Sequence, residues 1–316
     1  MKLVTFATRT AGERLGVSTG DGVVDLAAAA RARGNGAAAP VADALAFLLA
    51  GTEGRDLVAG LVEWALSRRE PALVLPEADL ELLAPVPRPP KILCLAGNYA
   101  EHWREGGHDA PPEAQHTPEV FVKPVTTIVG PHAQIRLPGP LCTAVDYEGE
   151  LAAVIGRAAK NVSPDRALEY VAGYANFDDV SGRQLTIDVP REPTARTGWF
   201  DWLNGKWFDT FGPLGPYLVV DEVNDPQALA IETRVNGAVR QRATTADMIF
   251  TVAETIAWVS RFVTLQPGDV IATGTPSGVG ATTRTFLQAG DVVEVEVAGL
   301  GVLRNAVTAP DGADNH

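Results

Sequence analysis

Four prolines fall within six residues at Pro85-Val86-Pro87-Arg88-Pro89-Pro90. Proline fixes φ and has no N–H to donate, so a run this dense continues neither a helix nor a central strand. It reads as a stiff extended linker, and it divides the 316-residue chain unequally. At roughly 100–200 residues per domain, about two domains are expected. The expected division is a small N-terminal domain at 1–84, the linker at 85–90, a larger domain at 91–309 and a flexible tail at 310–316.

The two sides differ in pattern. Before the prolines, residues 2–6 and 22–26 read as short strands, and 42–50 and 56–67 as helices with apolar residues at helical spacing. Beyond Lys91 the chain is strand-rich. Residues 120–129, 145–155, 217–220, 270–273 and 292–297 are rich in β-branched side chains and mostly bounded by Gly or Pro. Pro124 makes the first of these an edge strand or two short ones. Asn236-Gly237, between 231–235 and 238–241, predicts a type I′ hairpin. Helices are expected from Ser163-Pro164 and from Thr251, where Glu254 completes a capping box, the second running to about Val263. Strands do not alternate regularly with helices, which disfavours a doubly wound nucleotide-binding sheet. The expected fold class is α+β and β-rich: a curved, mainly antiparallel sheet with covering helices, beside a small α+β N-terminal domain.

Charge narrows the partners. Lys plus Arg is 26 and Asp plus Glu is 39, a formal net charge of -13. Nucleic acid is therefore not an expected partner, because phosphate binding needs a cationic face. An anionic substrate would need a local cationic site. No uncharged apolar run reaches about 18 residues, so no membrane span is expected. The N-terminus lacks the apolar core of a signal peptide, and a cytoplasmic protein is expected. Cys94 and Cys142 sit among apolar residues and read as buried free thiols.

The densest chemistry lies in Asp146-Tyr147-Glu148-Gly149-Glu150-Leu151. On one strand Asp146, Glu148 and Glu150 share a face, where like charges repel unless a cation sits among them. Hard oxygen ligands at this spacing suit Mg²⁺ or Mn²⁺; a solvated strand face would show the same alternation. Asp178-Asp179 ends an apolar-aromatic stretch and offers a third ligand, or a strand-end turn. On a helical turn His102 and Glu105 are at i and i+3, the arrangement of a carboxylate-oriented general base and equally of a surface ion pair. Glycines and Pro111-Pro112 follow, making 98–118 a candidate mobile lid. The glycine-rich loop 272–280 can hold anions on its backbone N–H groups, and is not a Walker A loop. Lys206, set among aromatics, could neutralise developing negative charge or lay its stem along apolar surface.

In this order the motifs resemble the fumarylacetoacetate hydrolase superfamily, over about 91–307. The motifs are Asn98-Tyr99-x-x-His102-x-x-Glu105, Asp146-Tyr147-Glu148-x-Glu150-Leu151, Asp179-Val180-Ser181-x-Arg183, Gly205-Lys206-x-x-Asp209 and Gly274-Thr275-Pro276-x-Gly278-Val279-Gly280. The resemblance implies a C-terminal mixed β-roll closing over a metal, usually in a homodimer, with the small N-terminal domain of longer members. It implies Glu148, Glu150 and Asp179 as ligands of Mg²⁺ or Mn²⁺, with Asp146 behind them. It implies His102 and Glu105 as the lid dyad that activates water, and Lys206 as the active-site lysine. Arg183, Tyr147, Thr275 and Gly274 are the implied substrate contacts. Two features depart from the pattern. Gln184-Leu185-Thr186 stands where members commonly carry Asp-x-Gln, and 188–204 is longer than usual, with Trp199, Phe200 and Trp202. The aromatic segment 199–207 is a candidate apolar substrate pocket.

The expected function is Mg²⁺- or Mn²⁺-dependent hydrolysis of a C–C bond in an acylpyruvate-type acid, a small anionic oxo acid. The alternatives are decarboxylation of an oxaloacetate-like acid, isomerisation of a 2-hydroxydienoate on the same site, and a metal-binding module without catalysis.

Overall fold

Every residue of the strand Gly149–Ile155 is buried, which explains why it reads as a continuous apolar run instead of an alternating one. It lies inside a large sheet, antiparallel to Val171–Asp178 on one side and to Val270–Ala272 on the other. A computed structural model describes residues 1–8, 11–34, 39–109 and 116–310. The last six residues of the expected tail, and 110–115 of the expected lid, lie outside the described residues.

From one edge the large sheet runs Val74–Leu75, Gly22–Asp25, Ala11–Thr19, Lys2–Thr8, Gly212–Val219, Val171–Asp178, Gly149–Ile155, Val270–Ala272, Ile92–Ala96 and Glu119–Lys123. The sheet thus crosses the expected domain boundary: Lys2 pairs with Val219 and Leu3 with Leu218. The proline segment is packed against this sheet, with Val86 buried and Thr5 Oγ1 donating to Pro85 O at 3.0 Å. A second sheet runs Ala238–Thr244, Ala230–Val235, Val292–Val297, Val302–Thr308 and Gln134–Arg136. Asn176, buried in the large sheet, joins the two. Its Oδ1 accepts from Val297 N at 2.7 Å and its Nδ2 donates to Gly301 O at 3.0 Å. Parallel pairing between Ile92–Ala96 and Val270–Ala272 makes the large sheet mixed. The fold is α+β and strand-rich, as expected.

Helices cover the sheets. Ala44–Arg68 takes in both expected N-terminal helices, with a break at Gly51, whose φ of 55° and ψ of -129° interrupt the turns. Val252–Phe262 starts on the Thr251–Glu254 capping box. It buries Val252, Ile256 and Val259 against Leu151, Ala153 and Ile155. Residues 120–129 form two short strands, Glu119–Lys123 and Ile128–Val129, divided by a 3-10 turn that follows Pro124. Ala195–Gly205 forms a helix that the sequence reading left unassigned, capped by reciprocal Thr194–Thr197 hydrogen bonds. Both cysteines are buried and free. Among the described residues no helix is long and apolar enough to cross a membrane.

Candidate active site

The strand expected over 145–155 is broken, and the break decides which carboxylates meet. Val145–Asp146 leaves the large sheet to pair with Ser181–Gly182, and the chain re-enters at Gly149. Asp146 therefore does not share a face with Glu148 and Glu150, contrary to the single-strand expectation. Asp179 takes its place. Its N–H donates to Glu148 O at 2.9 Å, and the Glu148 N–H donates to Asp178 Oδ1 at 2.8 Å. Glu148, Glu150 and Asp179, all buried, bring carboxylate oxygens within 4.8 Å of one another.

Three cations surround this group. Lys206 Nζ donates to Glu148 Oε2 at 2.7 Å and to Asp179 Oδ2 at 2.6 Å. Lys123 Nζ donates to Asp179 Oδ1 at 2.6 Å and to Val180 O at 3.2 Å. Arg183 donates from Nε to Asp146 Oδ2 at 2.8 Å and from Nη2 to Glu148 Oε1. The Lys123 and Lys206 side chains are 0% and 2% exposed. Burial works against the Glu148 carboxylate, but the Lys206 and Arg183 charges outweigh it and hold the group at about 2. Burial would likewise discharge Lys206, and Asp179 and Glu148 reverse that, raising it. Lys123 escaped the sequence reading. The available signal was its phase: in Glu119–Lys123 the buried positions are Phe121 and Lys123.

Glu150 has no such cation. Its Oε2 accepts from Gly274 N at 2.8 Å, and its Oε1 has no partner. Burial, then the Asp179 and Glu148 charges, push it well above the usual carboxylate range. A buried carboxylate left this way ionises only when a cation reaches it. Asp146, Glu148, Glu150, Asp178 and Asp179 are all buried beside Lys123, Lys206 and Arg183. Fully ionised, these groups lack two positive charges. Hard oxygen donors and that deficit fit a divalent ion such as Mg²⁺ or Mn²⁺.

Opposite stands the dyad. His102 and Glu105 lie on the short helix Ala100–Glu105, with His102 Nδ1 2.7 Å from Glu105 Oε1. The other carboxylate oxygen accepts from Gly278 N at 2.8 Å and Thr282 Oγ1 at 2.9 Å. Burial would raise Glu105, but the bonds from His102, Gly278 and Thr282 hold it below the usual range. An ionised Glu105 makes Nδ1 the protonated nitrogen and leaves Nε2 as a base. Gly278 has φ of 105°, and a Cβ there would lie 2.1 Å from Arg240 O, so only glycine fits.

The glycine-rich loop does hold anions on its N–H groups, and they are the chain's own: Glu150 on Gly274, Glu105 on Gly278 and Asp146 on Gly280. The Gly274 N–H is thus taken up by a carboxylate of the triad. Thr275 lines the cavity, but its hydroxyl is committed, donating to Gly149 O at 3.1 Å and accepting from Gln241 Nε2 at 2.7 Å. Tyr147 is turned away by the strand break. It donates to Gly278 O at 3.1 Å and lines a different cavity, with Arg240 and Arg284. Of the implied substrate contacts, Tyr147 thus lies away from the cavity that His102, Glu148 and Lys206 line, and its hydroxyl supports the loop.

His102, Glu148, Arg183, Lys206 and Thr275 open onto one cavity of ≈ 370 Å³. Trp103, Trp199 and Trp202 form much of its remaining wall. Trp202 packs edge-on against Phe121 with centroids 4.9 Å apart, and Lys206 Nζ lies 5.6 and 5.3 Å from these two rings.

The family model "Fumarylacetoacetate (FAA) hydrolase C-terminal" matches residues 91–308. Oxaloacetate tautomerase FAHD2A, mitochondrial, of Bos taurus is 42% identical over 313 residues, covering 97% of this chain and 91% of that protein. The structure of 5-carboxymethyl-2-hydroxymuconate delta-isomerase from Mycobacterium smegmatis is 32% identical with a TM-score of 0.70, covering 98% of this chain and 100% of that one. Maleylpyruvate hydrolase from Sphingobium sp. SYK-6, in complex with manganese(II) ion and pyruvate, is 30% identical with a TM-score of 0.74, covering 98% of this chain and 100% of that one. With the family match spanning the buried acidic triad, the dyad and the glycine-rich loop alike, the chain belongs to the fumarylacetoacetate hydrolase family.

Proposed function

We propose that this chain is a Mg²⁺- or Mn²⁺-dependent enzyme that moves a proton at the carbon next to the 2-oxo group of a small 2-oxo acid, as in keto–enol tautomerisation of oxaloacetate. One observation carries the reading: a carboxylate-fixed histidine shares a single cavity with Glu148, one member of a buried acidic triad, and with a buried lysine. The tautomerase relative, at 42% identity over nearly the whole chain, supports it.

Glu148, Glu150 and Asp179 would hold the ion. When bound, it supplies Lewis-acid polarisation of the substrate's 2-oxo group. Arg183 adds positive charge for the substrate carboxylate in a chain that is acidic overall. His102 Nε2 takes the proton from C3, and Glu105 stabilises the imidazolium that forms. Lys206 spends two N–H bonds on Glu148 and Asp179, and its third is free to face the negative charge growing on the 2-oxo oxygen. The imidazolium of His102 gives the proton taken from C3 to the 2-oxo oxygen, so the C3–H bond breaks, an O–H bond forms, His102 is regenerated and the substrate keeps its atom count. Trp103 and Trp202 exclude water from the reacting carbon.

Hydrolytic C–C cleavage of an acylpyruvate is the second reading. The Glu105–His102 pair favours it, since the same Nε2 could deprotonate a water, and so does the resemblance to maleylpyruvate hydrolase. The deciding experiment follows oxaloacetate enol by ultraviolet absorbance and pyruvate release from acetylpyruvate by coupled assay, with Mg²⁺, Mn²⁺ or chelator. Metal-dependent decay of the enol without pyruvate release is expected, with loss of turnover in His102→Ala while Mn²⁺ still binds. Full tautomerisation by that variant would sink the role of His102, and rapid pyruvate release would put hydrolysis first. The proposal extends to a cytoplasmic homodimer, which cell fractionation and sedimentation test.

A further inference from the structure

Lys206 meets two aromatic rings as well as two carboxylates, and the local sequence brings them together. It is the C-cap of the helix Ala195–Gly205, where its N–H donates to Leu203 O at 3.0 Å. Trp202 lies four residues earlier, so both side chains leave the same face of the helix end. Phe121 comes from the edge strand Glu119–Lys123 and shares its buried face with Lys123. The Phe121 and Trp202 rings meet at an interplanar angle of 73° and form a corner. The Lys206 ammonium lies within cation–π range of both rings while it donates to Glu148 and Asp179.

The two kinds of partner respond differently to a metal. An ion held by Glu148 and Asp179 would draw on the carboxylates that fix Lys206, and its charge would repel the ammonium. The ring faces attract a cation through their quadrupole and offer a hard divalent ion nothing to bind. The lysine side chain is buried, so water does little to weaken that attraction.

We propose that Trp202 and Phe121 are positioning residues: their rings hold the Lys206 ammonium in place, so that its free N–H stays turned toward the oxygen on which charge grows. The inference rests on the reading above, that Lys206 faces the 2-oxo oxygen. Trp202 also lines the cavity, so its hold on Lys206 must be separated from a wall contact with substrate.

The test follows Mn²⁺-dependent decay of oxaloacetate enol in a double-mutant cycle of Trp202→Leu and Lys206→Met. Trp202→Leu keeps apolar bulk and loses the ring face, so kcat should fall about tenfold with KM little changed, the size of a buried cation–π contact. Trp202→Phe keeps a ring and should recover most of that loss. Phe121→Leu should lower kcat in the same way as Trp202→Leu. In the Lys206→Met background, Trp202→Leu should leave kcat unchanged. Mn²⁺ affinity, read by electron paramagnetic resonance, should be the same in Trp202→Leu as in wild type. A second measurement keeps the shape of the side chain: tryptophans with increasing numbers of ring fluorines, placed at 202 alone, should lower log kcat in step with the weakened ring face. An equal loss from Trp202→Leu with and without Lys206, a loss of Mn²⁺ affinity in Trp202→Leu, or a kcat indifferent to fluorination overturns the proposal and leaves Lys206 its role. Wild-type kcat in Lys206→Met, or no metal-dependent decay in wild type, overturns the reading of the site, and the positioning with it.

Discussion

Replacing Glu150 by glutamine removes one charge and keeps the shape, and the sign of the result depends on whether a metal is present. Glu150 has carboxylate neighbours within 4.8 Å and an oxygen with no partner. Two like charges at that separation repel by about 3.5 kcal/mol at an effective dielectric near 20. The metal-free protein avoids this by keeping Glu150 protonated, which carries its own pH-dependent cost. Because the folded group lies well above its ordinary 4.5, the native state binds a proton that the unfolded chain has released. The cost is zero below about pH 4.5 and grows by up to ~1.4 kcal/mol per pH unit, until pH passes the folded value. At pH 7.5 its ceiling is thus about 4 kcal/mol, close to the repulsion it replaces. In chelator, Glu150→Gln should match wild type near pH 4.5 and exceed it by about 3 kcal/mol at pH 7.5. Saturating Mn²⁺ should reverse the order, since an ion at 100 times its Kd adds ~2.7 kcal/mol to wild type and far less to the variant. Urea unfolding followed by tryptophan fluorescence reads both. A variant less stable than wild type in chelator at every pH, with no trend, would refute the claim that Glu150 lacks a compensating cation.

Three further outcomes are expected. Lys123→Met leaves Asp179 Oδ1 without its buried partner, and the metal-free protein should lose roughly 3–5 kcal/mol in urea unfolding, with Mn²⁺ recovering part of it. Gly278→Ala forces a Cβ against Arg240 O in left-handed backbone, so loop strain of about 1–3 kcal/mol should appear in thermal melts, and faster hydrogen exchange in 100–105 should report the lost Glu105 bond. The folded Glu105 lies below its ordinary 4.5, so its stabilising effect is present above about pH 4.5 and disappears as pH falls through the folded value. The stability gap between wild type and Glu105→Gln should be flat at neutral pH and close only in acid; a gap that widens on acidification contradicts the sign.

The sequence carried much of this site because its pieces are local. The His102–Glu105 spacing survives as a contact because three residues along a helix return to the same face. The triad was legible only in part. Alternation placed Asp146 beside Glu148, and the interruption of the strand at 147–148 removed it, since two-residue periodicity holds only while one strand continues. Lys123 was hidden for a different reason: its partner lies 56 residues away, and no local pattern reports a long-range ion pair. The helix Ala195–Gly205 lacked an acidic first turn, and its cap uses a threonine pair in place of the usual Glu. The proline run pointed correctly to a change of pattern at 85–90, yet gave no sign that strands from both sides would share a sheet.

That shared sheet has a consequence for anyone shortening the chain. Gly212–Val219 has Val171–Asp178 along one side and Lys2–Thr8 along the other. A product starting at Lys91 would keep every residue of the triad and the dyad. It would also bare the backbone donors and acceptors around Leu218 and Val219 on a strand that is buried and apolar in the intact molecule. An unguarded edge of this kind is a template for a strand from another molecule. The first 84 residues therefore act as a permanent edge guard, and their removal would show first as precipitation and only second as lost activity.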